Sequence, residues 1–225
     1  MNPQVGPLRT GPEPTALRAW GRASAGALLA VLAGIGLPWS PARPAAANSD
    51  GPLPGFTGGF GEPTCHACHF DAPEKPASGE LLLSGVPGAF RPGARYAVTV
   101  TLRDRRLRRA GFQLTARFEG SGGDGGTAGR QAGRLLVPGG GSEDGPRVEV
   151  VEHRKPPVLY ARQTRAGSAP AAPHEAVWTV TWIAPEEPAG PVVFHAAANA
   201  ANDDDSEFGD VIHRATVRSR PAAKP

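Results

Sequence analysis

After Glu80 apolar side chains recur at every second position in a series of short runs, the period of a strand that buries one face and wets the other. In Tyr96 to Leu102, residues Tyr96, Val98, Val100 and Leu102 share a face, and Thr99 and Thr101 take the opposite one. In Gly111 to Phe118 the inward set is Phe112, Leu114, Ala116 and Phe118, which leaves Gln113, Thr115 and Arg117 wetted. Trp178, Val180 and Trp182 point to one side of the run Val177 to Ile183. Each buried Trp or Phe contributes about 2 to 3 kcal/mol of apolar burial, so this aromatic face is expected to be core. Runs at Glu80 to Val86, Val148 to Glu152, Val158 to Gln163, Val192 to Ala197 and Val211 to Val217 complete the set. Turn residues separate the runs at fairly regular spacing and no stretch carries a 3.6-residue stripe. The pattern therefore predicts an all-β sandwich or barrel over residues 80–218, followed by a disordered tail over 219–225. The connectors Gly120 to Gly129 and Pro138 to Gly145 read as mobile loops, and no internal repeat is visible.

Upstream the composition changes. Residues 48–64 (NSDGPLPGFTGGFGEPT) are rich in Gly and Pro, which neither helices nor central strands tolerate, and residues 48–79 are read as a loop leading into the sandwich. Residues 1–47 have the layout of a signal peptide: Arg9, Arg18 and Arg22, an apolar stretch from Ala25 to Trp39, and small residues at Ala45 to Ala47. The apolar stretch falls short of the ~20 residues needed to span a bilayer, and Pro38 interrupts its end, so cleavage is expected between Ala47 and Asn48. The product is then periplasmic or secreted, with no stable membrane anchor. That leader carries four of the 24 Lys and Arg and one of the 21 Asp and Glu, so 20 of each sign remain and the formal charge falls from +3 to zero. The basic balance of the full chain is thus no argument for nucleic acid as a partner.

Both cysteines lie in Cys65-His66-Ala67-Cys68-His69, a Cys-x-x-Cys-His frame. Two thiols at this spacing reach the two vinyl groups of one haem, and the adjacent His69 would ligate the iron. Three other readings compete. A Cys65 to Cys68 disulfide suits an oxidising compartment but closes too short a loop to stabilise much. A thioredoxin-like redox pair wants a βαβ context, and the surroundings are Gly/Pro loop. A zinc site wants further ligands at finger-like spacing. His66 is a spacer within the frame. Met1 is the single methionine and departs with the leader, so the second axial ligand falls to a histidine or to none. His195, with small neighbours in PVVFHAAANAAN, and His213 in the next run rank above His153 and His174, which sit among charged or Pro-rich sequence.

The blocks GGFGEPTCHACH, GELLLSGVPGAFRPGARYAVTVTL, AGFQLTARF, AVWTVTWIAP and VVFHAAANAANDDDSEFGDVIHR together resemble the bacterial Reeler-like domains of the type called choice-of-anchor V. The resemblance covers most of the chain after the leader. It implies export, an immunoglobulin-like antiparallel β-sandwich and, because many such proteins carry Cys-x-x-Cys-His just before the sandwich, a haem; it implies no settled activity. Where that family has aromatic residues, this chain has His195 and His213, which favours them as ligands.

Asn202, Asp203, Asp205 and Asp210 offer hard oxygen donors for calcium, although their order is not that of an EF-hand loop and a solvated acidic turn accounts for them equally simply. The cluster Arg103, Arg105, Arg106, Arg108 and Arg109 caps a hairpin, or docks an acidic redox partner. Glu186 and Glu187 read as solvated charge, and no hydrolase, Walker, zincin or Rossmann motif appears. The expectation is therefore an electron carrier rather than an enzyme: an exported protein with one haem c, passing single electrons to an unidentified redox partner. The alternatives are an extracytoplasmic binding or adhesion sandwich with a structural cysteine or metal site, and a haem sensor with an open axial position.

Overall fold

A computed structural model describes residues 50–69, 71, 76–120, 126–139, 145–154 and 157–223, all within one unit, Arg43–Pro225. The expected leader and the centres of both Gly-rich connectors lie outside the described residues. Ten strands form: β1 (Gly79–Ser84), β2 (Ala89–Phe90), β3 (Arg95–Asp104), β4 (Arg109–Phe118), β5 (Arg134–Leu136), β6 (Val148–Arg154), β7 (Pro157–Gln163), β8 (Glu175–Ile183), β9 (Val192–Ala201) and β10 (Val211–Pro221). They make a four-stranded sheet in the order β1-β3-β8-β5 and a six-stranded sheet in the order β2-β10-β9-β4-β7-β6. The protein is an all-β sandwich, as the alternation predicts. One pair departs from the antiparallel rule: β2 lies parallel to β10 at the sheet edge, Arg220 opposite Ala89 and Pro221 opposite Phe90. The last strand accordingly runs to Pro221, into the segment read as tail.

The inward faces meet as alternation requires. Val98, Val100 and Leu102 from β3 and Trp178, Val180 and Trp182 from β8 pack on Phe112, Leu114 and Ala116 from β4 and Phe194, Ala196 and Ala198 from β9. Large rings oppose small side chains: the alanines of β9 leave room for the β8 indoles, so the layer fills at interior density. The Phe112 ring stacks on Trp178 at 4.4 Å between centroids, and Trp182 meets Phe90 and Phe194 edge-on at 5.3 and 4.9 Å. Each buried indole also needs a partner for its N–H. Trp178 Nε1 donates to the Gly167 carbonyl and Trp182 Nε1 to that of Ala132, both at 2.9 Å.

Candidate functional site

The outward side chains of β4 are not wetted. Gln113 and Thr115 are fully buried and Arg117 is 5% exposed, because residues 50–64 lie across the outer face of the six-stranded sheet as a strap. The strap is irregular, so its backbone groups must find partners off the ladder. Gln113 supplies three: its Oε1 accepts from Gly55 N (2.9 Å) and Phe56 N (2.7 Å), and its Nε2 donates to the Leu53 carbonyl (2.8 Å). Arg162 Nη1 donates to the Pro52 carbonyl at 2.6 Å, and Thr115 Oγ1 donates to the Leu159 carbonyl at 3.0 Å.

Further along, the strap folds back on itself through a bridge between Thr57 and Thr64, with Phe60 and Gly61 taking left-handed φ of 53° and 80° at the bend. This bend carries Glu62 into a polar clamp. Its carboxylate accepts from Arg117 Nη2, from the Tyr160 hydroxyl and, at 2.6 Å, from Thr57 Oγ1. Arg117 sits over the rings of Phe60 (5.4 Å) and Tyr160 (5.3 Å). Burial alone raises the Glu62 carboxyl, but hydrogen bonds from Thr57, Tyr160 and Arg117, with the Arg117 charge, outweigh it and hold the group below the usual range. Burial and the bond to Glu62 push the Tyr160 phenol up. His195 meets Phe60 edge-on at 5.4 Å, and its pKa is lowered, by burial first and then by the Arg117 charge.

The clamp delivers the chain to Cys65–Ala67, a single turn of 3-10 helix. Thr64 caps it, its Oγ1 accepting from His66 N at 3.2 Å, and Cys68 N and His69 N both donate to the Cys65 carbonyl, at 3.1 and 3.0 Å. The turn rests on the β9–β10 end. His69 Nδ1 lies 2.7 Å from Asp210 Oδ2, an oxygen that also accepts from Asn199 Nδ2 at 2.8 Å, and Gly209 N donates to Asp71 at 2.6 Å. Both thiols are free; Cys68 is exposed and Cys65 half-buried. Enclosure of the Cys65 sulfur, with Cys68 and Asp210 nearby, pushes its pKa up to about 12.

This geometry corrects the haem c expectation. Among the described residues no group of three or more His, Cys, Asp or Glu side chains converges to hold a metal ion. A depression of about 480 Å³ lies elsewhere, at the sandwich end near Ser78, Arg103 and His174. The two histidines proposed as distal ligands do not face His69 as a pair. His213 is opposite Ala198, a core position, so it points between the sheets, where its Nε2 lies 2.8 Å from Asp104 Oδ2. His195 is on the outer face with Asn199 but two pleats away, about 13 Å along the strand, and its Nδ1 meets Thr216 Oγ1 at 3.2 Å.

Calcium is corrected on the same ground, since the donors turn to different partners. Asp203 accepts from Arg109 Nε at 2.5 Å, Asp210 serves His69, Asn199 and Asn202 N, and Asn202 Nδ2 donates to Asp204 and to the Phe208 carbonyl. Asp203 and Asp205 sit at left-handed φ of 66° and 60° in what is a self-bonded acidic turn. Of the arginine cluster, Arg103 pairs with Glu175 and Glu80, and Arg109 with Asp203, so much of that charge is neutralised in place.

The sandwich is similar to the human F-spondin reeler domain, at 21% identity and a TM-score of 0.42, over 67% of this chain and 94% of that one. A structure of the Reelin-N domain of F-spondin gives 18% identity and 0.42 over 71% and 96%. A type II cohesin module of the ScaA scaffoldin of Acetivibrio cellulolyticus gives 14% and 0.34 over 67% and 95%. These are likenesses of fold at low TM-scores, and the sandwich described above rests on its own strand order. No protein-family model matches the chain, and no curated protein matches it. No helix among the described residues is long and apolar enough to cross a membrane.

Proposed function

We propose that this protein is an extracytoplasmic binding or adhesion module rather than an enzyme. The observation that carries this reading is the inequality of the two sheets. The six-stranded sheet has the outer face of its centre, β4 and β7, covered by the strap, whereas the four-stranded sheet keeps a face of mixed chemistry. There Thr99 pairs with Thr179, Thr101 with Val177 and Leu82, and Ala97 with Thr181. Leu82 is 42% exposed, and the Thr99 and Thr179 hydroxyls meet at 3.3 Å. A surface of hydroxyls and β-branched or aliphatic side chains presents contact area at little entropic cost, because β-branched side chains hold few rotamers. The leader pattern of residues 1–47 supports export, and a Cys-x-x-Cys pair suits an oxidising compartment.

The test compares the wild-type protein with Leu82→Arg/Thr101→Arg in an exporting host, followed by fractionation. The expected result is wild-type protein on cell-envelope material and the variant in the soluble extracytoplasmic fraction, with unchanged tryptophan emission. Equal partition of the two would overturn the reading.

A further inference from the structure

The structure assigns thiol–disulfide exchange to the Cys65–Cys68 turn, with Cys68 as the sulfur that meets a partner disulfide and Cys65 as the sulfur that closes the ring. This inference uses only the Cys65–Cys68 turn and its anchors, and stands whether or not the sandwich proves to be a binding module.

Side chains three residues apart on a 3-10 turn eclipse, so Cys65 and Cys68 project on the same side. A rise of ~2 Å per residue puts their Cα atoms about 6 Å apart, within the range a disulfide spans. The turn is also fixed at both ends, by the Thr57 to Thr64 bridge before it and by His69 on Asp210 and Asp71 on Gly209 after it. Closing the ring therefore asks for side-chain rotation and no movement of the sheets. A ring of this size constrains the unfolded chain little, so opening and closing it leaves the fold standing, as exchange requires.

The two sulfurs differ in access, and that difference sets the order of events. Cys68 is exposed, while Cys65 is half-buried. The Cys68 thiolate attacks one sulfur of the partner disulfide; a new S–S bond forms, the partner S–S bond breaks, and one partner thiolate leaves and takes a proton. Cys65 then gives up its proton and attacks Cys68, releasing the second partner thiol. The protein is oxidised by two electrons, and one disulfide is reduced to two thiols.

The probe is oxidised glutathione, added to the purified protein and followed by intact mass. With only two cysteines in the chain, every adduct is assignable. Cys65→Ser is expected to accumulate one glutathione, Cys68→Ser to react at least tenfold more slowly, and the wild type to pass to an internal disulfide that retains none. Equal rates in the two variants, faster reaction of Cys68→Ser, or glutathione retained on the wild type would overturn the assignment. Native alkylation of the wild type with iodoacetamide gives an independent readout that needs no variant. Cys68 is expected to label first, and prior labelling of Cys65 counts against the inference.

Discussion

At the scale of single residues, the side chain that decides how the strap lies is Gln113, an uncharged residue with no chemistry of its own. Its amide satisfies two backbone N–H groups and one carbonyl of the strap, all from a fully buried position on β4. Gln113→Ala leaves these groups without partners, and a buried group without its hydrogen bond costs about 1 to 3 kcal/mol. We expect a loss of that order in urea unfolding, together with faster proteolysis within residues 50–64. Gly59 offers a sharper test, because a Cβ there would come 2.4 Å from the His195 ring, a side chain rather than a strand backbone. Gly59→Ala is therefore expected to lower the melting temperature, and the double variant Gly59→Ala/His195→Gly, which also removes the His195 Cβ that would stand at 2.9 Å, to recover part of the loss. Additive losses in that double-mutant cycle would show that the ring is not the obstacle.

Among the elements, the strap was the one hidden from the sequence. Alternation located the long strands, since β3, β4, β8, β9 and β10 each keep period two over many residues. Two short strands, β2 and β5, escaped because two or three residues cannot display a period. The same alternation misread the outer face of β4: Gln, Thr and Arg look wetted when only their own strand is considered, and what buries them is a Gly/Pro segment more than 50 residues upstream in the chain. The cysteine frame was legible only as part of a loop before the sandwich; its 3-10 turn was not. The haem reading failed because spacing cannot tell what else converges on a motif, and among the described residues no group of three or more metal-binding side chains does.

The strap's clamp also makes it sensitive to acid. Glu62 titrates lower in the folded protein than in the unfolded chain, so its contribution is complete above the ordinary Glu value of ~4.3 and vanishes as pH falls through its lowered folded value. His195 also titrates low when folded, so its contribution is present above ~6.5 and fades as the ring protonates. Protection of the Gly55 and Phe56 amides from hydrogen exchange is expected to be highest near neutrality, to begin to weaken below about pH 6.5 and to weaken further below about pH 4.3. Glu62→Gln is expected to abolish the lower step.

For the molecule as a whole, the notable contact is the tie between its two layers. Asp104 closes β3 in the four-stranded sheet, and His213 stands on β10 in the six-stranded one; both are buried, with Ser78 Oγ and Arg106 N completing the carboxylate's shell at 2.6 and 2.7 Å. Burial favours the neutral acid, yet the bonds from Ser78, Arg106 and His213 outweigh it and hold the carboxyl low. Removing the carboxylate leaves the Arg106 N–H and the His213 ring nitrogen without their partner, a loss of about 1 to 3 kcal/mol for each buried group. Asp104→Ala is expected to shift the urea midpoint accordingly, while leaving the Cys65–Cys68 turn and its glutathione reactivity in place, because the tie lies on the other side of the β9–β10 ladder.

The strap and the sheets also differ in how they resist force. Strands β9 and β10 are zipped along most of their length by backbone bonds, whereas residues 50–64 hang on a few side chains, chiefly Gln113, Arg117 and Arg162. Tension applied from the upstream side would peel these residues away first, freeing a segment about 50 Å in contour length, before any strand parts. The domain would thus behave as an anchored body with a built-in extensible leash.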